Sequence, residues 1–299
     1  MMSIEYIISQ LINGLRLGSV YAMVAIGYSI VYGILRLINF AHGDILTVGA
    51  YTALTLMVAF GYPLWLVIIL SIIISVAMGL LIERVAYRPL RNAREETTLV
   101  SSLAVSAFLQ NLITMVFSEQ RKAFQLPDWL TEIHTYGIVK LSTMNIIIFA
   151  TTIFLLIFLS IIMKKTRIGM AMRACSDNQR AAALMGININ VVVAVAFMIG
   201  SALAGLAGIM LAGEYKTVDP AMGFAPGLKA FVAAVLGGIG SLGGAVLGGF
   251  ILGIAEMAFA GLLPTSITPY RDAMVFVLLI LVLLVKPNGI LGSDEGGRS

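Results

Sequence analysis

The chain has 299 residues, is 60% hydrophobic and only 11% charged, and carries a net charge of +4 with a mean hydropathy of +1.00. Soluble domains hold roughly 25% charged residues, so a soluble enzyme is excluded and an integral membrane protein is indicated. The small basic excess sits mostly in two loops, which fits the positive-inside rule better than nucleic-acid binding, and the single cysteine, Cys175, rules out an internal disulfide.

Residues 3–11 place Ile4, Ile7, Ile8 and Leu11 at helical spacing between Glu5, Ser9 and Gln10. This predicts a short amphipathic helix at the interface. With no basic n-region ahead of the apolar run, the N-terminus reads as uncleaved. Residues 13–38 form the first long apolar run, with Gly14, Gly18 and Ala22 at spacing four, a stripe that lets another helix approach closely. Arg16 and Arg36, towards its two ends, read as side chains reaching the interface. Ile38 to Asp44 is a polar break. A short apolar run follows at 45–60 and the third span at 64–82, with a Gly61-Tyr62-Pro63 turn between them, and then a loop from Glu83 to Arg94 with four arginines.

Residues 97–117 are a more polar span (Ser101, Ser102, Ser106, Gln110, Asn111), which predicts burial within a bundle because polar groups facing lipid are costly. Residues 118–141 show no basic excess and are placed outside; 142–163 return. Met163 to Asn190 is the longest basic interruption, with Lys164, Lys165, Arg167, Arg173 and Arg180 against Asp177. It reads as a helical cytoplasmic segment. Residues 191–213 leave again, with Gly200, Ala204, Gly208 and Ala212 at spacing four, and 214–228 form an external connection. Residues 228–236 are too short to span and predict a half-helix or re-entrant segment. Residues 237–261 begin with glycines, of which Gly240, Gly244 and Gly248 form a helix-packing stripe beside Gly249 and Gly253; 271–285 are the last span. The expectation is an all-α polytopic membrane protein of about eight spans plus one half-span, with the N-terminus outside if the half-span returns the chain to the cytoplasmic side.

Gly238 to Gly243 matches GxGxxG, but the flanks are membrane segments and the acid that follows, Glu256, is too close and sits in an apolar run, so close helix packing is the better reading. No GxxxxGK[ST], HExxH or Cys/His cluster occurs, so neither a phosphate-cradling loop nor a metal site is expected. The break offers Asn39, His42, Gly43 and Asp44 as substrate-path candidates, because interrupted helices expose backbone groups to small polar solutes. The alternatives are structural: Asp44 capping a helix that starts at Ile45, and His42 in a satisfied hydrogen bond. Glu256, in the eighth apolar run, either faces a polar cavity or pairs with Lys229 or Arg271. Cys175 reads as an inert loop thiol.

Six stretches in order resemble the permeases of branched-chain amino acid ABC importers: NGLRLGSVYAMVAIGYSIVYG (13–33), INFAHGDILTVGAY (38–51), ERVAYRPLR (83–91), RACSDNQRAAALMGIN (173–188), LKAFVAAVLGGIGSLGGAVLGGFILGIAE (228–256) and LVLLVKPNGILG (281–292). The resemblance implies the ABC importer permease fold over 1–299 as a single transmembrane domain, with a coupling segment at 164–190. It also implies a multi-pass inner-membrane subunit with no ATPase or cofactor of its own. The expected partners are a homologous second permease, two cytoplasmic ATP-binding subunits that use ATP, a periplasmic solute-binding protein and the lipid bilayer. Arg167, Gly169, Arg173, Arg180, Ala182, Ala183 and Gly186 fall in the coupling segment. Ala181 to Gly186 is similar to the importers' EAA-type signature, with Arg180 where that signature has Glu. The rivals are a urea or short-chain amide importer permease and a proton-driven secondary transporter using Asp44, His42 and Glu256.

Overall fold

The computed structural model describes residues 4–91, 93–137, 139–262 and 270–292. Twelve α-helices carry these described residues. The first five are α1 (Ile4–Leu35), α2 (His42–Val58), α3 (Leu64–Ile82), α4 (Glu95–Phe117) and the single turn α5 (Asp128–Thr131). Then come α6 (Thr143–Lys165), α7 (Arg167–Asp177), α8 (Gln179–Leu184), α9 (Ile189–Tyr215), α10 (Phe224–Gly237), α11 (Leu242–Leu262) and α12 (Arg271–Val285). Four short strands, β1 (Lys122–Ala123), β2 (Ile133–Tyr136), β3 (Val139–Ser142) and β4 (Thr217–Val218), lie in the connections. Among the described residues six helices are long and apolar enough to cross a membrane, and α2 and α12 fall short at 17 and 15 residues. The protein is a multi-pass, mostly helical membrane protein.

α1 runs unbroken from Ile4, so the separate interfacial helix expected over 3–11 is absent: nothing between Leu11 and Gly14 interrupts the backbone ladder. α1 is the axis of the bundle, and Tyr21 to Ile26 are almost wholly buried. Its glycine stripe meets α11. A Cβ on Gly14 would lie 2.7 Å from the Ile254 Cα, one on Gly18 2.8 Å from the Gly249 carbonyl oxygen, and one on Gly253 2.3 Å from the Gly18 nitrogen. Backbone against backbone is what small residues permit in lipid. Gly244 and Gly248 turn instead to α10, where their Cβ atoms would strike the Gly237 and Ala233 carbonyls. Gly240 is not on that stripe. It stands before α11, at φ +93°, in the turn that reverses the chain from α10.

α9 packs against α1, α2 and α3. Its Gly205 takes the backbone approach of Gly49 from α2, and its Gly208 lies under the Leu46 carbonyl. α4 departs from the expected burial. Thr98, Ser102, Ser106, Leu109 and Ile113 form its one buried face, while Val100, Phe108, Met115 and Val116 are exposed. Polar residues on α4 mark the stripe that faces inward rather than a helix surrounded on all sides.

The connections sort into two ends. At one, Arg91 Nη1 donates to Asn190 Oδ1 at 2.6 Å, joining the two basic loops. At the other, β1 pairs antiparallel with β4, so segments 118–141 and 214–223 share a face. The tail closes the basic end. Ile290 and Leu291 donate their N–H groups to the Leu236 and Gly237 carbonyls, each at 2.9 Å, and so cap the last turn of α10.

Candidate functional site

The break after α1 is wider than a turn. Arg36 adopts φ +57° and ends α1, and the chain re-enters the bundle before α2 starts at His42. His42 lies against Gly27, about two turns or roughly 12 Å inside the end of α1. α2 therefore begins in the interior. Asp44 is in its first turn rather than at its cap, which is Ala41 without any side-chain cap bond, so the capping role does not hold.

A second helix starts at the same place. α10 begins at Phe224, four residues ahead of the run expected over 228–236, and its Gly223 N–H donates to Thr47 Oγ1 on α2 at 3.0 Å. Pro226 in its first turn needs no N–H partner, a helix-start signal that hydropathy alone passes over. A Cβ on Gly43 would come within 2.6 Å of the Gly223 carbonyl oxygen and 3.0 Å of the Gly227 Cα. Glycine at 43, 223 and 227 is what lets the two helix starts meet. Both present backbone N–H groups and the positive end of a helix dipole inside the bundle.

Around this junction the polar side chains are buried and only partly satisfied. Tyr87 donates its hydroxyl to Asn39 Oδ1 at 2.9 Å, and Gln110 donates Nε2 to Asp44 Oδ1 at 3.0 Å. The His42 ring stands edge-on to Tyr28, centroids 4.6 Å apart. Asn39 Nδ2, His42 Nε2 and Asp44 Oδ2 have no hydrogen-bond partner among the described residues. Each such buried atom costs about 1–3 kcal/mol if left unmet, so this cluster suits a polar solute better than it suits a finished core. Gln110 and Ser106 were visible as polar residues on a span; Thr47, Tyr28, Tyr87 and Gly223 carried no pattern that tied them to position 44.

Glu256 is not part of this cluster. It accepts from Tyr21 at 2.8 Å and from Lys229 at 2.6 Å, with Arg271 at 3.8 Å. Tyr21 is two helical turns from Tyr28, which separates the sites by roughly 10 Å of rise along α1. Both alternatives hold: Glu256 pairs closely with Lys229, with Arg271 standing off beyond hydrogen-bond reach, and it also lines a small polar cavity. Arg16 also pairs, with Glu214 at 2.7 Å and Asn145 at 3.3 Å, rather than merely reaching the interface.

The basic segment 164–190 folds as two helices. Thr166, Asn178 and Asn188 each cap the helix that follows, their side-chain oxygens accepting the N–H groups of Gly169, Ala181 and Asn190. Gly169 is pressed on the α6 end, where a Cβ would be 2.3 Å from the Ile162 carbonyl oxygen. Arg173 donates to the Met163 carbonyl, and Gln179 reaches the Ile34 carbonyl at the end of α1. Ala182 is buried, and Arg167, Arg173, Arg180 and Ala183 face outward. α8 ends in a Schellman turn: Gly186 (φ +85°) bonds to the Ala183 carbonyl and Ile187 to the Ala182 carbonyl. Just before it Leu184 and Met185 are 89% and 83% exposed. Two large apolar side chains thus stand exposed on a basic segment, and composition did not single them out. Burial pushes the Cys175 thiol above its usual range.

Residues 10–283 match a family model described as the branched-chain amino acid transport system permease component. The chain is 42% identical to the high-affinity branched-chain amino acid transport system permease protein LivH of Salmonella typhimurium, over 97% of each chain. It is also 42% identical to the corresponding BraD of Pseudomonas aeruginosa, over 99% of each. A more distant relative is the LivM permease protein of Salmonella typhimurium, 23% identical over 91% of this chain and 68% of that one. The family match along nearly the whole chain, and the identity to LivH and BraD, show that this protein belongs to the branched-chain amino acid transport system permease family.

Proposed function

We propose that this chain is the membrane-spanning permease subunit of an ATP-driven importer that carries leucine, isoleucine or valine inward across a bacterial inner membrane. The reading rests on the 42% identity to LivH and BraD across almost the full chain. The whole chain acts as one transmembrane domain of eight spans, α2 and α12 counted among them, with α10 as the half-span and 164–190 as the coupling segment. The chain binds no cofactor; ATP is used by two cytoplasmic ATP-binding subunits. A second permease related to it completes the pore, and a periplasmic solute-binding protein docks where β1 and β4 join the outer connections.

In this reading α7 and α8 receive the movement of the ATPases. Leu184 and Met185 give the partner a greasy contact within a basic rim, and rigid packed elements pass displacement onward. The Gln179 bond to Ile34 and the contacts of α7 with α9 lead to α1 and α9, the two helices that flank His42. At the junction Asp44 Oδ2 takes the ammonium group. Asn39 Nδ2 and the starts of α2 and α10 face the carboxylate, as broken helices do for charged solutes. ABC coupling accounts for the projecting segment, which a proton-driven carrier leaves without a role.

Co-expression with a second permease and the ATPases, followed by solute-binding-protein-stimulated ATP hydrolysis and uptake across a solute panel, tests this. ATP-dependent uptake led by leucine, isoleucine and valine is expected. Stimulation by urea or short amides alone, or uptake that survives loss of the ATPases and falls with the proton gradient, would sink it.

A further inference from the structure

A second polar site lies at the end away from the basic loops. A cavity of about 100 Å³ opens among α1, α6, α9, α11 and α12, room for several water molecules. Its walls carry charges of both signs, Arg16 and Arg271 against Glu214 and Glu256, and an apolar side that includes Leu17, Ile148, Leu211 and Met257. We propose that this cavity is an outer subsite for the charged end of a zwitterion with an apolar side chain, Arg271 binding its carboxylate and Glu214 its ammonium group; this rests on the importer reading above.

The charges divide into fixed and loosely held. Glu256 is fixed: only 2% exposed, it accepts from both Tyr21 and Lys229, so it closes the floor of the cavity and has little left to offer. Arg271 is loosely held. Its Nε is 3.8 Å from Glu256 and 3.6 Å from Asp272, both longer than a hydrogen bond, and the side chain is 43% exposed. A planar guanidinium with weak partners suits a carboxylate, which it can meet with two parallel bonds. Among the described residues Glu214 has one ion pair within 4 Å, with Arg16, which Asn145 also holds, so Glu214 can share its second oxygen with an ammonium group. The hydrocarbon side chain then leaves the cavity along its apolar wall, past Leu211 and Met257.

Position favours delivery. Glu214 and Tyr215 end α9 one residue before β4, the strand that pairs with β1 under the joined connections. Leu17, Tyr21, Val24 and Tyr28 recur along one stripe of α1. That stripe leads from the cavity, past the Tyr21–Glu256–Lys229 floor, to the ring of His42.

The test uses the assembled transporter with its binding protein in proteoliposomes and reads leucine moved per ATP hydrolysed. Arg271→Gln and Glu214→Gln should each lower that ratio about tenfold, the worth of one charged hydrogen bond, and Arg271→Lys should restore part of it. Met257→Trp, which fills the cavity without touching an ion pair, should lower it as well. Ratios within twofold of wild type in the two glutamine variants would overturn the subsite. So would a wild-type ratio in Met257→Trp if the glutamine variants fail to assemble. Wild-type protein that moves no leucine would instead overturn the importer reading.

Discussion

Gly186 shows what a single residue can hide. In the sequence it closes an alanine run and looks like part of a docking signature; in the fold its φ of +85° and its bond to Ala183 end α8. A non-glycine residue in this left-handed conformation costs about 1–2 kcal/mol, with asparagine the most tolerant. Gly186→Ala should therefore lower ATPase co-purification while Gly186→Asn retains most of it, and Gly186→Trp tests the turn before it tests any contact. Equal retention in all three would mean that the turn does not matter to the partner. The exposed tip can be tested more directly. Leu184→Asp touches no core residue, so membrane yield should stay at the wild-type level while co-purified ATPase falls about tenfold, as for an interface anchor worth ~1.4 kcal/mol or more. Unchanged co-purification would move the docking surface elsewhere on α7 or α8.

At the scale of elements, the helices that matter are joined by glycine. Gly253 and Gly243 lie on the same helix, α11, yet a Cβ on Gly253 would be 2.3 Å from the Gly18 nitrogen while one on Gly243 meets nothing within 4 Å. Gly253→Leu should cost at least the 1–3 kcal/mol typical of overpacking, because the obstacle is backbone and cannot rotate aside. Thermal unfolding in detergent should show a clearly lowered midpoint, or no folded protein, for Gly253→Leu, and little change for Gly243→Leu. Similar losses in both would show that glycine content, rather than the α1–α11 contact, sets stability. Such stripes were readable beforehand from spacing. Which helix each stripe would meet was not, since spacing four describes one helix and says nothing of its neighbour.

The whole molecule is organised by its two ends. The register of β1 with β4 sets Lys122 opposite Val218, where antiparallel neighbours lie about 4.5–5.5 Å apart in Cα, within reach of a disulfide. Lys122→Cys with Val218→Cys should cross-link on mild oxidation. Cys175 should stay silent, since it is buried and its thiol is held protonated. Absence of the cross-link would separate the two connections. A cysteine at Leu184 should react with an impermeant maleimide only from the cytoplasmic side, and one at Trp129 only from outside. The reverse pattern would invert the topology.

Composition and periodicity by themselves determined that this is a helical, multi-pass membrane protein and that an apolar segment shorter than a full span follows the sixth apolar run. Burial in lipid demands long apolar stretches, and these are written locally. The resemblance of six stretches added the family. Only the tertiary structure decided that α2 and α10 begin face to face at Gly43 and Gly223, that Asp44 answers to Gln110 and that Glu256 belongs to a separate cluster with Tyr21 and Lys229. The reason is physical. Those meetings depend on contacts between residues tens to hundreds of positions apart, and no local pattern of charge or hydropathy encodes which distant glycine will clear the way for them.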